Sequence, residues 1–124
     1  MSDWKGKEMK KGFVICSVRG QSEEYRNKLE AFVKEKEAQG WQIHLPHRDT
    51  NQNARGYDIC LQNAEAINLA HRIFIFYSPN SQGTHFDMGV AFALCKPIEI
   101  VETVEYGGGK SYPRMLQEWA EELA

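Results

Sequence analysis

The chain alternates continuous apolar runs with stretches of helical spacing, four times over. Across residues 12–17, Phe13, Val14, Ile15 and Cys16 stand in succession, as in a central parallel strand buried on both faces. Residues 23–38 carry Tyr25, Leu29, Phe32 and Val33 at helical intervals among Glu and Lys, and Gly40 predicts the stop. Residues 41–45 read as a short second strand closed by Pro46, and the polar stretch 47–56 reads as a loop. Residues 57–70 return to helical spacing through Ile59, Cys60, Ala64, Ile67 and Leu69, and residues 72–77 form the strongest strand pattern in the chain. A third helix over residues 88–94 and a fourth strand over 97–101 follow. Gly107, Gly108 and Gly109 then predict a flexible connection to a last helix that begins near Pro113.

Strands alternating with helices predict a parallel sheet covered on both faces with right-handed crossovers. The fold expected is α/β: a flavodoxin-like three-layer α/β/α sandwich with a parallel sheet of four to five strands in the order 2-1-3-4(-5). A fifth edge strand would fall near residues 103–106. Ligands of such sheets bind where the strand order reverses, here between strands one and three. That geometry gathers residues 17–20, residues 48–52 and residues 81–87 around one crevice.

Composition narrows the classes. A chain of 124 residues makes one ordinary domain, assigned to residues 12–124 with residues 1–11 as a loosely held tail. A formal charge of −2 with both signs scattered gives no basic stripe, so no nucleic-acid partner is expected. The N-terminus mixes charges with no apolar core and predicts neither signal peptide nor membrane partner. Cys16, Cys60 and Cys95 lack the close spacing of a zinc or redox motif. They read as buried thiols of a cytoplasmic protein, and neither a metal nor another cofactor is expected.

The candidate chemistry lies in Ser81-Gln82-Gly83-Thr84-His85-Phe86-Asp87-Met88-Gly89, between the strongest strand and the third helix. Such a junction offers unpaired backbone N–H groups, a hydroxyl and a carboxylate to one ligand, a set suited to a phosphorylated sugar. Asp87 is read either as the charged group beneath a sugar or as a capping partner of Thr84 three residues earlier. Ser17, Arg19 and Gly20 offer a hydroxyl, a guanidinium fork and a close backbone approach, or else a plain turn with a solvated arginine. Asp49 and Asn51, in the same loop as Arg48, supply an acceptor and an amide suited to base edges, or ordinary turn chemistry. His85 either touches ligand or faces solvent.

With these residues in view, the chain resembles the nucleoside 2-deoxyribosyltransferases and the 2'-deoxynucleoside 5'-phosphate N-hydrolases. Two blocks carry the resemblance: Cys16-Ser17-Val18-Arg19-Gly20 after the first strand, and Ser81-x-Gly83-x-x-x-Asp87-x-Gly89. The resemblance implies a homodimer or higher homo-oligomer and a small-molecule partner, a nucleoside or nucleoside monophosphate. The bond between base and sugar would be broken or exchanged through an active-site carboxylate. It maps that carboxylate, a Glu in the family, onto Asp87. A second family carboxylate maps onto Asn63, and an aromatic hydroxyl on the first strand maps onto Phe13. The catalytic set expected is therefore Asp87, Asn63 and Asp49, the last as a replacement for the carboxylate missing at position 63. The substrate-binding set is Phe13, Ser17, Arg19, Gly20, Arg48, Asn51, Ser81, Gly83 and Thr84. Because Asn63 and Phe13 lack the family's functional groups, the alternative is a nucleotide-binding sensor that has lost the chemistry.

Overall fold

The computed structural model describes residues 9–105 and 110–123. The elements run β1 (Lys10–Ile15), α1 (Glu23–Ala38), β2 (Trp41–His44), α2 (Pro46–Asp49), α3 (Gly56–Leu69), β3 (Arg72–Phe76), α4 (Gln82–Ala93), β4 (Ile98–Glu102) and α5 (Tyr112–Glu122). The sheet has the order β2-β1-β3-β4 and every pairing is parallel. This is the doubly wound order read from the sequence. Residues 103–105 form no strand, and Tyr106 with the triglycine segment lies outside the described residues. Most of the expected tail, residues 1–8, lies outside them too, and β1 begins at Lys10, two residues before the expected boundary.

Alternation along the central strands builds two cores. Phe13, Ile15, Ile73 and Ile75 face α3, α4 and α5, where Ile67, Met88, Ala91, Leu116 and Trp119 close over them. Val14, Cys16, Phe74 and Phe76 face α1, where Leu29 and Val33 complete the second core. Both faces of β1 and β3 are therefore dry, which is why their apolar runs are unbroken.

Gly12 is a close-approach glycine. A Cβ there would stand 2.7 Å from Phe74 Cε2 and 2.9 Å from Ile43 Cδ1. The Phe74 ring cannot move aside easily, because Phe32 and Trp41 hold it edge-on at 5.4 and 5.2 Å. Gly12→Ala is therefore expected to destabilise the fold by about 1–3 kcal/mol through overpacking. A denaturant titration checks this through a lower midpoint at unchanged slope.

Three local features differ from the sequence reading. Residues 46–49 form a helical turn, because Pro46 sets its first residue and the Asp49 carboxylate accepts from the Leu45 N–H at 2.9 Å. Helix α4 starts at Gln82, capped by Ser81 Oγ, which accepts from the Thr84 N–H at 3.1 Å; Thr84 is thus inside the helix and does not cap it. The cysteines are all free, but only Cys16 is buried. Cys95 is exposed because it turns the chain out of α4 with φ +56°.

Candidate functional site

At the carboxyl ends of β1 and β3 the chain leaves toward opposite faces of the sheet, since α1 covers one face and α4 the other. A crevice of about 790 Å³ opens there, within the range of small-molecule sites. The β1 exit contributes Cys16, Ser17, Val18 and Arg19. Gln52 and, from α3, Gly56, Ile59, Cys60 and Asn63 form one wall, and Asn80, Ser81, Gln82, Gly83 and Phe86 form the other.

The β1 exit is stiffened locally. Ser22 caps α1 by accepting from the Tyr25 N–H, and the Tyr25 hydroxyl in turn accepts from the Ser17 N–H at 3.2 Å. Ser17 Oγ accepts from Gln21 Nε2 at 2.7 Å, so the hydroxyl keeps its proton to donate. Gly20 turns the chain at φ +70°. Arg19 is exposed and donates to the Gln52 carbonyl at 3.2 Å, bridging the β1 exit to the opposite wall. On the α4 side, Ser81 Oγ is likewise an acceptor, from Thr84 N. The N–H groups of Gln82 and Gly83, in the first turn of α4, have no acceptor within the helix. Hydroxyl protons, backbone N–H groups and one guanidinium thus converge from two segments far apart in sequence.

Asp87, 4% exposed, is not itself on the crevice lining and adjoins it through Asn63. Its carboxyl is pushed up from 3.8 to about 7 by burial, against a smaller opposing effect from Asn63. Asn63 Nδ2 donates to Asp87 Oδ2 at 3.5 Å, and Asn63 itself lines the crevice. The Cys16 thiol, also on the lining, is pushed up to about 12, mainly by burial and further by the charge of Asp87. The acid therefore sits directly behind the crevice wall, and that thiol stays protonated at neutral pH.

Of the residues expected from the sequence, the crevice brings together Ser17, Arg19, Asn63, Ser81 and Gly83, with Gly20 at the turn beside Arg19 and Asp87 behind Asn63. It does not gather the others. Arg48 pairs with Glu37 at 3.1 Å and with both Asp49 oxygens at 2.9 Å, and donates to the Ile43 carbonyl at 2.8 Å. The two line a separate groove against Lys11, Gln42 and Leu69. Burial alone would raise the Asp49 carboxyl, but the Arg48 and Leu45 hydrogen bonds hold it below its ordinary value. Asp49 thus serves the α2 turn and lies outside the crevice, away from Asn63 on its lining. Asn51 accepts from the Asn53 N–H at 3.1 Å in a turn outside the crevice.

Thr84 is fully buried and does not line the crevice; its hydroxyl lacks a partner among the described residues. Phe13 is fully buried and stacks flat on His44, with centroids 5.2 Å apart and planes 9° from parallel. His85 is neither free in solvent nor on the crevice lining. Its Nδ1 donates to the Ser81 carbonyl at 2.7 Å, its Nε2 accepts from the Tyr77 hydroxyl at 3.0 Å, and its ring meets Tyr112 edge-on. Sequence reading placed Gln52 and Phe86 in segments around the crevice but missed Ile59 and Cys60 as lining residues. Their only signal was helical periodicity, which cannot say which part of a face meets a crevice.

The architecture is shared with proteins of solved structure. A CMP N-glycosidase of Clostridium botulinum, BcmB, superposes with a TM-score of 0.67 at 20% identity, over 90% of this chain and 83% of that one. A 2-deoxyribosyltransferase from Leishmania mexicana superposes with a TM-score of 0.56 at 24% identity, over 77% and 65% of the two chains. A conserved protein of Enterococcus faecalis gives 0.64 at 17% identity, over 92% and 76%. No protein-family model and no curated protein matches the sequence.

Proposed function

We propose that this chain cleaves or transfers the N-glycosidic bond of a nucleoside 5'-monophosphate, with Asp87 as nucleophile or charge stabiliser. The observation that carries this reading is the position of Asp87: a buried carboxylate, held by Asn63, directly behind a crevice whose rim offers hydroxyl and guanidinium donors. Departure of a base builds positive charge on the anomeric carbon, which a carboxylate beneath the sugar can stabilise or capture. Burial strengthens that interaction by excluding water from around the charge. The CMP N-glycosidase and the deoxyribosyltransferase with the same fold support the reaction class and suggest CMP as the first compound to try.

On this reading Arg19, Ser17, Ser81 and the first-turn N–H groups of α4 hold the 5'-phosphate. Arg19→Ala removes a charge-assisted pair and is expected to weaken binding of a monophosphate by about ten- to a hundredfold. Binding of the corresponding nucleoside should change by less than about threefold. Calorimetric titration with both compounds checks the difference, and equal losses for the two would remove Arg19 from the phosphate site.

A second reading, a nucleotide-binding module without turnover, draws on one observation: an amide, Asn63, faces Asp87 and can neither give nor take a proton there. The two readings separate by chromatography of a reaction with CMP. Free base appears only under the first, whereas binding without base release selects the second.

A further inference from the structure

Asn63 is itself held from behind. Thr50 Oγ1 donates to Asn63 Oδ1 at 2.7 Å, and His44 Nε2 lies 2.7 Å from the same Thr50 oxygen. A continuous polar chain therefore runs from His44 at the end of β2, through Thr50 just after α2 and Asn63 on α3, to Asp87 on α4. Thr50, Asn63 and Asp87 are each at most 8% exposed. Counting protons fixes its direction. An ionised Asp87 can only accept, so the Asn63 NH₂ must face it and the Asn63 oxygen must face Thr50. The single hydroxyl proton of Thr50 is then spent on Asn63, and His44 must supply the next one from Nε2.

We propose that His44 and Thr50 are positioning residues that hold the Asn63 amide with its donor on the Asp87 carboxylate. Phe13 serves the same end by stacking flat on the His44 ring and fixing its plane. This assignment gives Phe13, an aromatic ring without a hydroxyl, work that needs no proton. It deepens the reading of Asp87 as the reactive carboxylate and rests on it. Burial holds His44 below its ordinary value, against an opposing pull from Asp49 and a smaller push in the same direction from Arg48. The ring is thus neutral at neutral pH, and its tautomer carries the information. The titratable and charged groups around the chain are Cys16 from the end of β1, whose thiol feels the charge of Asp87, and Asp49 and Arg48 from α2 against His44. Glu37 of α1 and Lys11 of β1 line the groove outside His44.

The test uses NMR on the whole isotope-labelled chain and does not depend on turnover. In wild type above the Asp87 midpoint, nitrogen shifts of His44 are expected to show the proton on Nε2. A proton on Nδ1 there would reverse the chain and overturn the proposal, whether or not any variant folds. In Thr50→Val the carboxyl-carbon titration of Asp87 is expected to move up by about half a unit to one unit, and Thr50→Ser should restore it. A Thr50→Val protein that is merely less stable, with the Asp87 midpoint unmoved, would assign Thr50 a packing role and also overturn the proposal. Failure of wild type to release base would count against the N-glycosidase reading alone, since the carboxyl titration is read without substrate.

Discussion

Asp87→Asn is expected to lower base release from a nucleoside monophosphate by about a thousandfold or more, with nucleotide affinity changed far less. An amide carries no charge to stabilise a cationic sugar and is no nucleophile, so the transition state loses both possible forms of help. Ser17 and Arg19, proposed above to hold the phosphate, lie at the β1 exit, and Ser81 caps α4 six residues before Asp87, so the substitution alters none of them. The substitution also preserves shape, and the new side-chain oxygen can still accept from Asn63 Nδ2. Rate loss through collapse of the site is therefore not expected. Chromatographic quantitation of free base, beside a calorimetric titration with the same nucleotide, checks both halves. Undiminished release in the variant would remove Asp87 from the chemistry, and equal loss of binding would make its role ground-state recognition.

The second large effect is a pH dependence in which stability and activity run in opposite directions. The Asp87 carboxyl titrates at about 7 in the folded chain against an ordinary 3.8, so between these values the native state holds a proton that the unfolded state has released. Stability is then fully present below about pH 4, falls as pH rises through 7, and levels off above. The upward shift corresponds to roughly 3–5 kcal/mol lost across that window. Asp87→Asn removes the term, so the variant should match wild type near pH 4 and exceed it by about that amount near pH 8. Denaturant midpoints at the two pH values test this. Base release needs the ionised carboxylate, so its rate should climb through the same window in which stability declines. A stability profile that is flat from pH 4 to 8 would mean that Asp87 ionises freely and is not desolvated.

Much of the frame was legible in the sequence because central parallel strands write a simple pattern. Phe13 to Cys16 and Ile73 to Phe76 are apolar without a break because both faces of β1 and β3 are covered, and helix–strand alternation with right-handed crossovers leaves few orders for four strands. The crevice was legible for the same reason: residues that directly follow strands one and three must end up at one edge of the sheet. What the pattern could not carry was direction within a polar segment. The stretch after β2 looks like a loop, yet Pro46 and Asp49 close it into a turn and Glu37 draws Arg48 outward. Arg48 and Asp49 are thereby committed to each other, while Gln52, a few residues on, reaches the crevice. Phe13 was placed by analogy with a hydroxyl-bearing residue, but its burial and its stacking on His44 depend on the β1–β2 register, in which the two stand opposite one another. Thr50 lay within the loop expected at the crevice but drew no role of its own, since one threonine in a run of polar side chains carries no periodic signal.

The most direct measurement is release of free base from CMP and a panel of other nucleoside and deoxynucleoside monophosphates, with wild-type protein in excess over substrate so that even a very slow single turnover is seen. At least one compound is expected to yield free base and its sugar phosphate, or a transferred glycoside when a second base is supplied, at a rate that rises through about pH 7 and collapses in Asp87→Asn. Tight binding of nucleotides with no base released from any of them at any pH would contradict the account, and would leave the crevice a binding site with an acid that does no chemistry.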